Sequence, residues 1–165
     1  MPSRATDDQG RTRSASSADG RELRVVLNGP SELVGFRRQL RALLAKREMA
    51  AADREAVVLA AEEALNNALQ ACDAATCRVE AIVSLVAGYV CIEVRDTGEG
   101  AKGACVNLAK LPDEDAEHGR GLYLMGQLME SLELVPRSHG TLVRMTRRLG
   151  RHDCPEPPAA GRLAS

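Results

Sequence analysis

The stretch that decides the fold is "CRVEAIVSLVAGYVCIEVRDTGEG", residues 77–100. Apolar and polar side chains alternate on both sides of Ala87-Gly88, which predicts two antiparallel strands joined by a tight turn. Asp96 continues the alternation of Ile92 and Val94, so its side chain is expected to point inward with theirs. A buried, ionised carboxylate is costly unless something pairs with it. The pattern therefore predicts a polar partner for Asp96 where the second strand ends.

The segments before this hairpin predict one strand and two helices. Residues 22–29, "ELRVVLNG", have the composition of a strand, and residues 31–47 place apolar side chains at helical spacing. Ser31 is expected to cap that first helix. Asp53 is expected to cap a second helix that ends at about Cys72.

The segments after the hairpin predict a polar loop, a third helix and two closing strands. Glycines open the helix "GRGLYLMGQLMES", and the closing strands flank a turn at 138–140. Strands adjacent in sequence pair as hairpins, which leaves the helices one face to cover. This order predicts an α+β fold, a two-layer α/β sandwich with a mostly antiparallel sheet of about five strands covered on one face by three helices.

Composition limits the class of protein. The 165 residues suffice for one domain, which we expect at 21–149, between disordered tails at 1–20 and 150–165. The net charge of −1 gives no sign of direct nucleic-acid binding. No apolar run approaches the roughly 18 residues of a membrane span, and no hydrophobic segment opens the chain. The five cysteines lack CxxC spacing, so they are expected to be reduced thiols. These features predict a cytoplasmic protein.

The second helix carries two glutamate–asparagine pairs in "AAEEALNNALQA", residues 60–71. Glu62 with Asn66 and Glu63 with Asn67 are both spaced i, i+4, so each pair shares a helix face. The helical wheel puts the first pair on a polar flank and the second among alanines, where something can approach closely. The wheel leaves two readings of the second pair open, a functional site and a solvated surface.

A second glycine-rich stretch, "EHGRGLYLMGQLM", spans residues 117–129. Gly119 and Gly121 stand where the third helix begins, and unpaired backbone N–H groups at a helix N-terminus favour an anion. Glycine lets a phosphate approach the backbone closely. Taken alone, two such glycines are equally typical of a flexible turn.

Together, three ordered segments resemble the Bergerat-fold (GHKL) ATP-binding family. They are "EEALNNA" on a helix, "VRDTGEG" after a strand and "HGRGLYLM" opening a helix, and "GTLVRMTRRL" resembles the family's last strand. Within the family, the chain looks most like the anti-sigma-factor serine/threonine kinases. The resemblance covers residues 21–149.

The resemblance implies roles for ten residues and two cofactors, ATP and Mg²⁺. It implies that Glu63 is the general base for an attacking hydroxyl and that Asn67 binds the Mg²⁺ that bridges the phosphates. By the same resemblance, Asp96 would accept a hydrogen bond from the adenine amino group, and Thr141 would support it. The remaining residues would shape the adenine pocket and a lid hinge, or meet the phosphates: Gly98 and Gly100, then Gly119, Arg120, Gly121 and Leu122.

Strand parity agrees with one of these roles. Thr141 alternates with Val143 and Met145, so it is a second polar side chain on an inward face. A satisfied core threonine is the other interpretation. Two inward polar residues on strands that lie side by side would make a polar pocket.

The sequence departs from the family at one position. The kinases usually carry a histidine four residues after the asparagine, where this chain has Ala71. Two functions remain open. The presence of Glu63 favours a kinase that phosphorylates a serine or threonine of a small antagonist protein and releases a sigma factor, thereby regulating transcription. Ala71 favours the alternative, a nucleotide-gated protein-binding switch with little or no transfer.

A third hypothesis is the detached catalytic domain of a sensor histidine kinase. The sequence argues against it, because no predicted helix carries a phospho-accepting histidine.

The partners implied by the resemblance are ATP and ADP, the antagonist, the sigma factor and a second copy in a homodimer.

The first helix carries three basic residues that are expected to be exposed, Arg37, Arg38 and Arg41. They are either a partner contact or a solvated basic face.

Overall fold

The computed structural model describes residues 21–72, 78–98 and 120–150, and the backbone of 14–16. Within these residues, the strands are β1 Ser14–Ser16, β2 Glu22–Leu27, β3 Val79–Val86, β4 Tyr89–Arg95, β5 Ser131–Pro136 and β6 Thr141–Arg148. They form one antiparallel sheet in the order β1-β2-β3-β4-β6-β5. The same residues include three α-helices, and none of these helices is long and apolar enough to cross a membrane.

The predicted α+β sandwich is confirmed. Its five main strands are those expected from the sequence, and the short edge strand β1 is an addition from the segment predicted as a tail. The β3–β4 hairpin turns at Ala87 and Gly88, as expected, with φ angles of 50° and 81°. Positive φ at both turn residues matches the right-handed twist of the two strands, so the loop needs only two residues.

The helices are α1 Leu33–Ala45, α2 Ala51–Ala71 and α3 Arg120–Leu128. Neither predicted helix cap forms. Ser31 lies within a short 3₁₀ turn, Pro30–Glu32, and α1 follows this turn with no side-chain cap. Asp53 lies inside the first turn of α2, which begins at Ala51. Its carboxylate instead accepts a hydrogen bond from Arg147 of β6.

The core lies between the helices and the inward face of the sheet, and it is aliphatic apart from Phe36. The register brings Val83, Ile92 and Met145 side by side across β3, β4 and β6, and all three are fully buried. Small side chains on α2, such as Ala60 and Ala64, are also fully buried. The close packing of this helix follows from its alanines, because they leave room for neighbouring elements.

The outward face of the sheet carries a continuous row of ion pairs. Arg24 of β2 lies 3.7 Å from Glu80 of β3, which in turn lies 3.7 Å from Arg95 of β4. Glu93 of β4 accepts hydrogen bonds from Arg95 at 2.6 Å and from Arg144 of β6 at 3.1 Å. Burial alone would raise the pKa of Glu93, but the two arginines outweigh it and lower that pKa below its usual value. This polar face leaves the opposite, helix-covered face as the place for a buried site.

Candidate functional site

One cavity of about 520 Å³ opens between α2, α3 and the ends of β4 and β6. Its volume falls within the roughly 300–1,000 Å³ range of small-molecule sites. Seven of the ten predicted site residues line it: Glu63, Asn67, Asp96, Arg120, Gly121, Leu122 and Thr141. Gly98 does not line the cavity itself, but its backbone N–H donates a hydrogen bond to Asp96, which does. Gly100 and Gly119 lie outside the described residues.

Asp96 lies buried at the end of β4, as the alternation predicted, with 7% of its surface exposed. Its Oδ1 accepts a hydrogen bond from the backbone N–H of Gly98 at 2.9 Å, and its Oδ2 accepts one from Thr141 at 3.2 Å. Its own N–H donates to the carbonyl oxygen of Thr141 at 3.1 Å. Because a carboxylate offers about four acceptor positions, these bonds fix its orientation and leave capacity for a donor in the cavity.

The central pairing of β4 with β6 puts Thr141 opposite Asp96. The register runs from Tyr89↔Arg148 to Arg95↔Leu142, so the next pair along the two strands is Asp96 with Thr141. Thr141 is 9% exposed and lines the same cavity. Two buried polar residues therefore meet at the floor of the site, as their strand parity suggested.

The structure distinguishes the two glutamate–asparagine pairs on α2. Glu63 and Asn67 face the cavity, together with Ala64, Ala68 and Ala71 of the same helix. Glu62 points away from it and lies 3.3 Å from Arg37 of α1. The helical wheel set the second pair apart by its alanine neighbours, but the packing of α3 beside that pair cannot be deduced from α2 alone.

Gly121 packs directly against Glu63. A Cβ atom at position 121 would lie 2.8 Å from Cδ and 2.9 Å from Cγ of that glutamate. These distances are shorter than real Cβ contacts, so the Glu63 side chain keeps its present position only because residue 121 has no Cβ atom.

Gly98 packs in a comparable way against the C-terminal end of α2. A Cβ atom there would overlap the carbonyl oxygen of Ala71 and lie 3.1 Å from Oδ1 of Asp96. Ala71 therefore lies beside both the cavity and the turn that follows Asp96.

Sequence reasoning missed the apolar wall and one glycine of the site. Met125 of α3, Leu134 of β5 and Val143 of β6 line the cavity. Parity with Thr141 indicates Val143, but the pairing of Leu134 with Val143 becomes visible only in the folded sheet. The missed glycine is Gly140, which touches the main chain of Asp96.

The basic residues of α1 are partly neutralised. Arg41 donates two hydrogen bonds to Glu55 of α2, at 3.1 Å and 2.7 Å, and Arg37 pairs with Glu62. The hydrogen bonds from Arg41 hold the pKa of Glu55 below its usual value. Arg38 is exposed.

Comparisons with known proteins agree with this architecture. The chain is similar to the RsbU and RsbW domains of Rv1364c from Mycobacterium tuberculosis, with a TM-score of 0.54, 21% identity and coverage of 78% of this chain. It is also similar to the Erythrobacter litoralis EL346 blue-light activated histidine kinase, with a TM-score of 0.52, 21% identity and 63% coverage. At such identity the likeness establishes the fold, and the chain spans 33% of each of those solved chains.

No curated protein matches the chain at a significant level. A family model described as the histidine kinase-like ATPase domain matches residues 27–147, well over half of the 165-residue chain. This range contains every predicted site residue, and it agrees with the resemblance to the Bergerat-fold family. The chain therefore belongs to the histidine kinase-like ATPase domain family.

Proposed function

We propose that this protein binds Mg-ATP and phosphorylates a serine or threonine of a small antagonist protein in the cytoplasm, and so regulates sigma-factor-dependent transcription. The observation that carries the proposal is the convergence of Glu63, Asn67 and Asp96 with the first turn of α3 on one cavity. The nucleotide is inferred from family membership, and the reaction is inferred from the side chains that line the cavity.

The cavity suits an adenine nucleotide in size and polarity. Its apolar wall of Met125, Leu134 and Val143 would cover the faces of a base, while Asp96 accepts a hydrogen bond from the exocyclic amino group. Backbone N–H groups at the start of α3 favour the negative charge of phosphates.

Asn67 would provide the protein's ligand to Mg²⁺. The ion prefers oxygen ligands and usually keeps several waters, so one amide oxygen together with phosphate oxygens makes a suitable site. Asn67 lines the cavity one helical turn after Glu63, so the two side chains share one face of α2.

Glu63 accepts the proton of the attacking serine or threonine hydroxyl. As the new bond from that oxygen to the γ-phosphorus forms, the bond from the phosphorus to the ADP oxygen breaks. The products are the phosphorylated antagonist and ADP. Positioning and charge neutralisation account for most of such a reaction, and the base adds to them.

One observation favours a second candidate, a nucleotide-gated switch with little or no transfer. Ala71 brings only a methyl group to the cavity, at the position where kinases of this type usually carry a histidine. ATP would then change the affinity for a protein partner without being consumed.

We also propose that the protein forms a homodimer. This proposal rests on the family resemblance alone and is tested by measuring the mass of the protein in solution.

The kinase proposal is tested with γ-labelled ATP and a candidate antagonist. Glu63→Gln should lower label transfer by about 10² to 10⁴-fold, the usual contribution of a general base, and leave ATP affinity nearly unchanged. Glu62→Gln is the matched control, because its carboxylate pairs with Arg37 outside the cavity, and it should transfer label at the wild-type rate. Absence of label on any antagonist, with normal ATP binding, would reject transfer and leave the gated switch.

A further inference from the structure

Gly140 is the last residue of the turn that joins β5 to β6, immediately before Thr141. Its φ of 81° lies in the left-handed region, and the N–H of Arg137 donates to its carbonyl oxygen at 3.2 Å. A Cβ atom at this position would lie 2.6 Å from the carbonyl carbon of Asp96 and 2.9 Å from its Oδ1. A side chain at position 140 would therefore collide with the main chain of Asp96 and crowd its carboxylate.

Three neighbours together fix the orientation of the Asp96 carboxylate. The backbone N–H of Thr141 donates to Oδ2, the N–H of Gly98 donates to Oδ1, and a Cβ atom at Gly140 would press against Oδ1. Gly98 and Thr141 act through hydrogen bonds, and a carboxylate that moved slightly could keep part of this bonding. Gly140 acts through excluded volume, so any side chain there must displace Asp96 or open the turn.

We propose that Gly140 is a positioning residue that acts through Asp96 and thereby sets the preference of the site for adenine over guanine. This inference rests on the proposed ATP site. Adenine carries an amino group where guanine carries a carbonyl oxygen at the equivalent ring position. A carboxylate aimed at that position accepts a hydrogen bond from adenine and repels the guanine oxygen. The orientation of the Asp96 carboxylate therefore determines whether the site prefers adenine over guanine.

Gly88 allows backbone strain to be separated from the contact with Asp96. It also lies in a hairpin turn with a φ of 81°, but a Cβ atom there would meet nothing within 4 Å. The same substitution at the two glycines therefore imposes the same requirement for a positive φ, and only the one at Gly140 meets Asp96. Asparagine is suited to both, because it tolerates positive φ better than other residues with a side chain.

The experiment is titration of wild type, Gly140→Asn and Gly88→Asn with ATP and with GTP, alongside thermal unfolding. Gly140→Asn should weaken ATP binding by about tenfold to a hundredfold, the loss expected for a hydrogen bond to a charged group. GTP affinity should change much less, so the ATP-to-GTP ratio falls. Gly88→Asn should keep the wild-type ratio.

The outcomes separate this inference from the function on which it rests. Wild-type protein that does not bind ATP would overturn the proposed function. Wild-type protein that prefers ATP, with the same ratio in folded Gly140→Asn, would overturn this inference alone. If Gly140→Asn does not fold, insertion of one glycine between His139 and Gly140 loosens the turn without adding a side chain. That variant should lose part of its ATP preference, and an unchanged preference would contradict the inference.

Discussion

At the scale of single residues, the contact between Glu63 and Gly121 links the two helices that flank the cavity. The carboxylate of Glu63 extends across the Cα of Gly121, in a space that any side chain at position 121 would fill. Gly121 is the second residue of α3, and a Cβ atom there would force the flexible Glu63 side chain to move. Gly121 therefore keeps that carboxylate in place, in addition to its proposed contact with phosphate.

Gly121→Ala is therefore expected to displace the Glu63 carboxylate and lower phosphate transfer by about tenfold or more, because a misplaced base loses much of its usual contribution. ATP affinity should fall less, since the backbone N–H groups of α3 remain. Glu63→Asp shortens the side chain by one methylene and should reduce the effect of Gly121→Ala on unfolding, which a double-mutant cycle measures. Gly35→Ala on α1 is the control, since a Cβ there meets nothing within 4 Å. Additive effects of the 63 and 121 substitutions would contradict this contact.

The sequence predicted the inward position of Asp96 and Thr141 because strand parity is a local property of the chain. The helical wheel placed Glu63 and Asn67 among alanines, but it could not distinguish a functional site from a solvated surface there, since that depends on where α3 packs. Nor did the sequence give any reason to single out Gly140, whose contact with Asp96 spans 44 residues of chain and depends on the pairing of β4 with β6.

At the scale of elements, the beginning of α2 is fixed by a long-range contact. Asp53 was predicted as a cap because aspartate often precedes a helix. It pairs instead with Arg147, which points inward from β6 and also donates to the carbonyl oxygen of Leu128 at the end of α3. One arginine thus joins the start of α2 and the end of α3 to the sheet. A local rule could not predict this, because the two partners are 94 residues apart.

Asp53→Asn should lower the free energy of unfolding by about 1–3 kcal/mol, because it weakens a half-buried charged pair. Glu55→Gln, two residues away on the exposed side of the same helix, is the control and should leave the unfolding midpoint nearly unchanged. Urea denaturation of the three proteins measures the difference. Equal midpoints for Asp53→Asn and wild type would contradict the role of this pair.

At the scale of the whole molecule, the sheet separates two kinds of surface. The outward face carries the ion-pair row from Arg24 to Glu133, while the inward face carries the core and the floor of the cavity. Alternation in "CRVEAIVSLVAGYVCIEVRD" was enough to predict this division, because a strand with one buried face repeats every two residues. The edge strand β1 escaped prediction because its three residues, "SAS", have no apolar pattern.

The account as a whole depends on Asp96 reading the adenine ring, and titration of ATP into wild type and Asp96→Asn tests this most directly. The account predicts that Asp96→Asn weakens ATP binding by about tenfold to a hundredfold, since it replaces a charged acceptor by a neutral amide. Glu93→Gln, on the same strand but on the outward face, should bind ATP as the wild type does. Unchanged ATP affinity in a folded Asp96→Asn variant would contradict the site assignment.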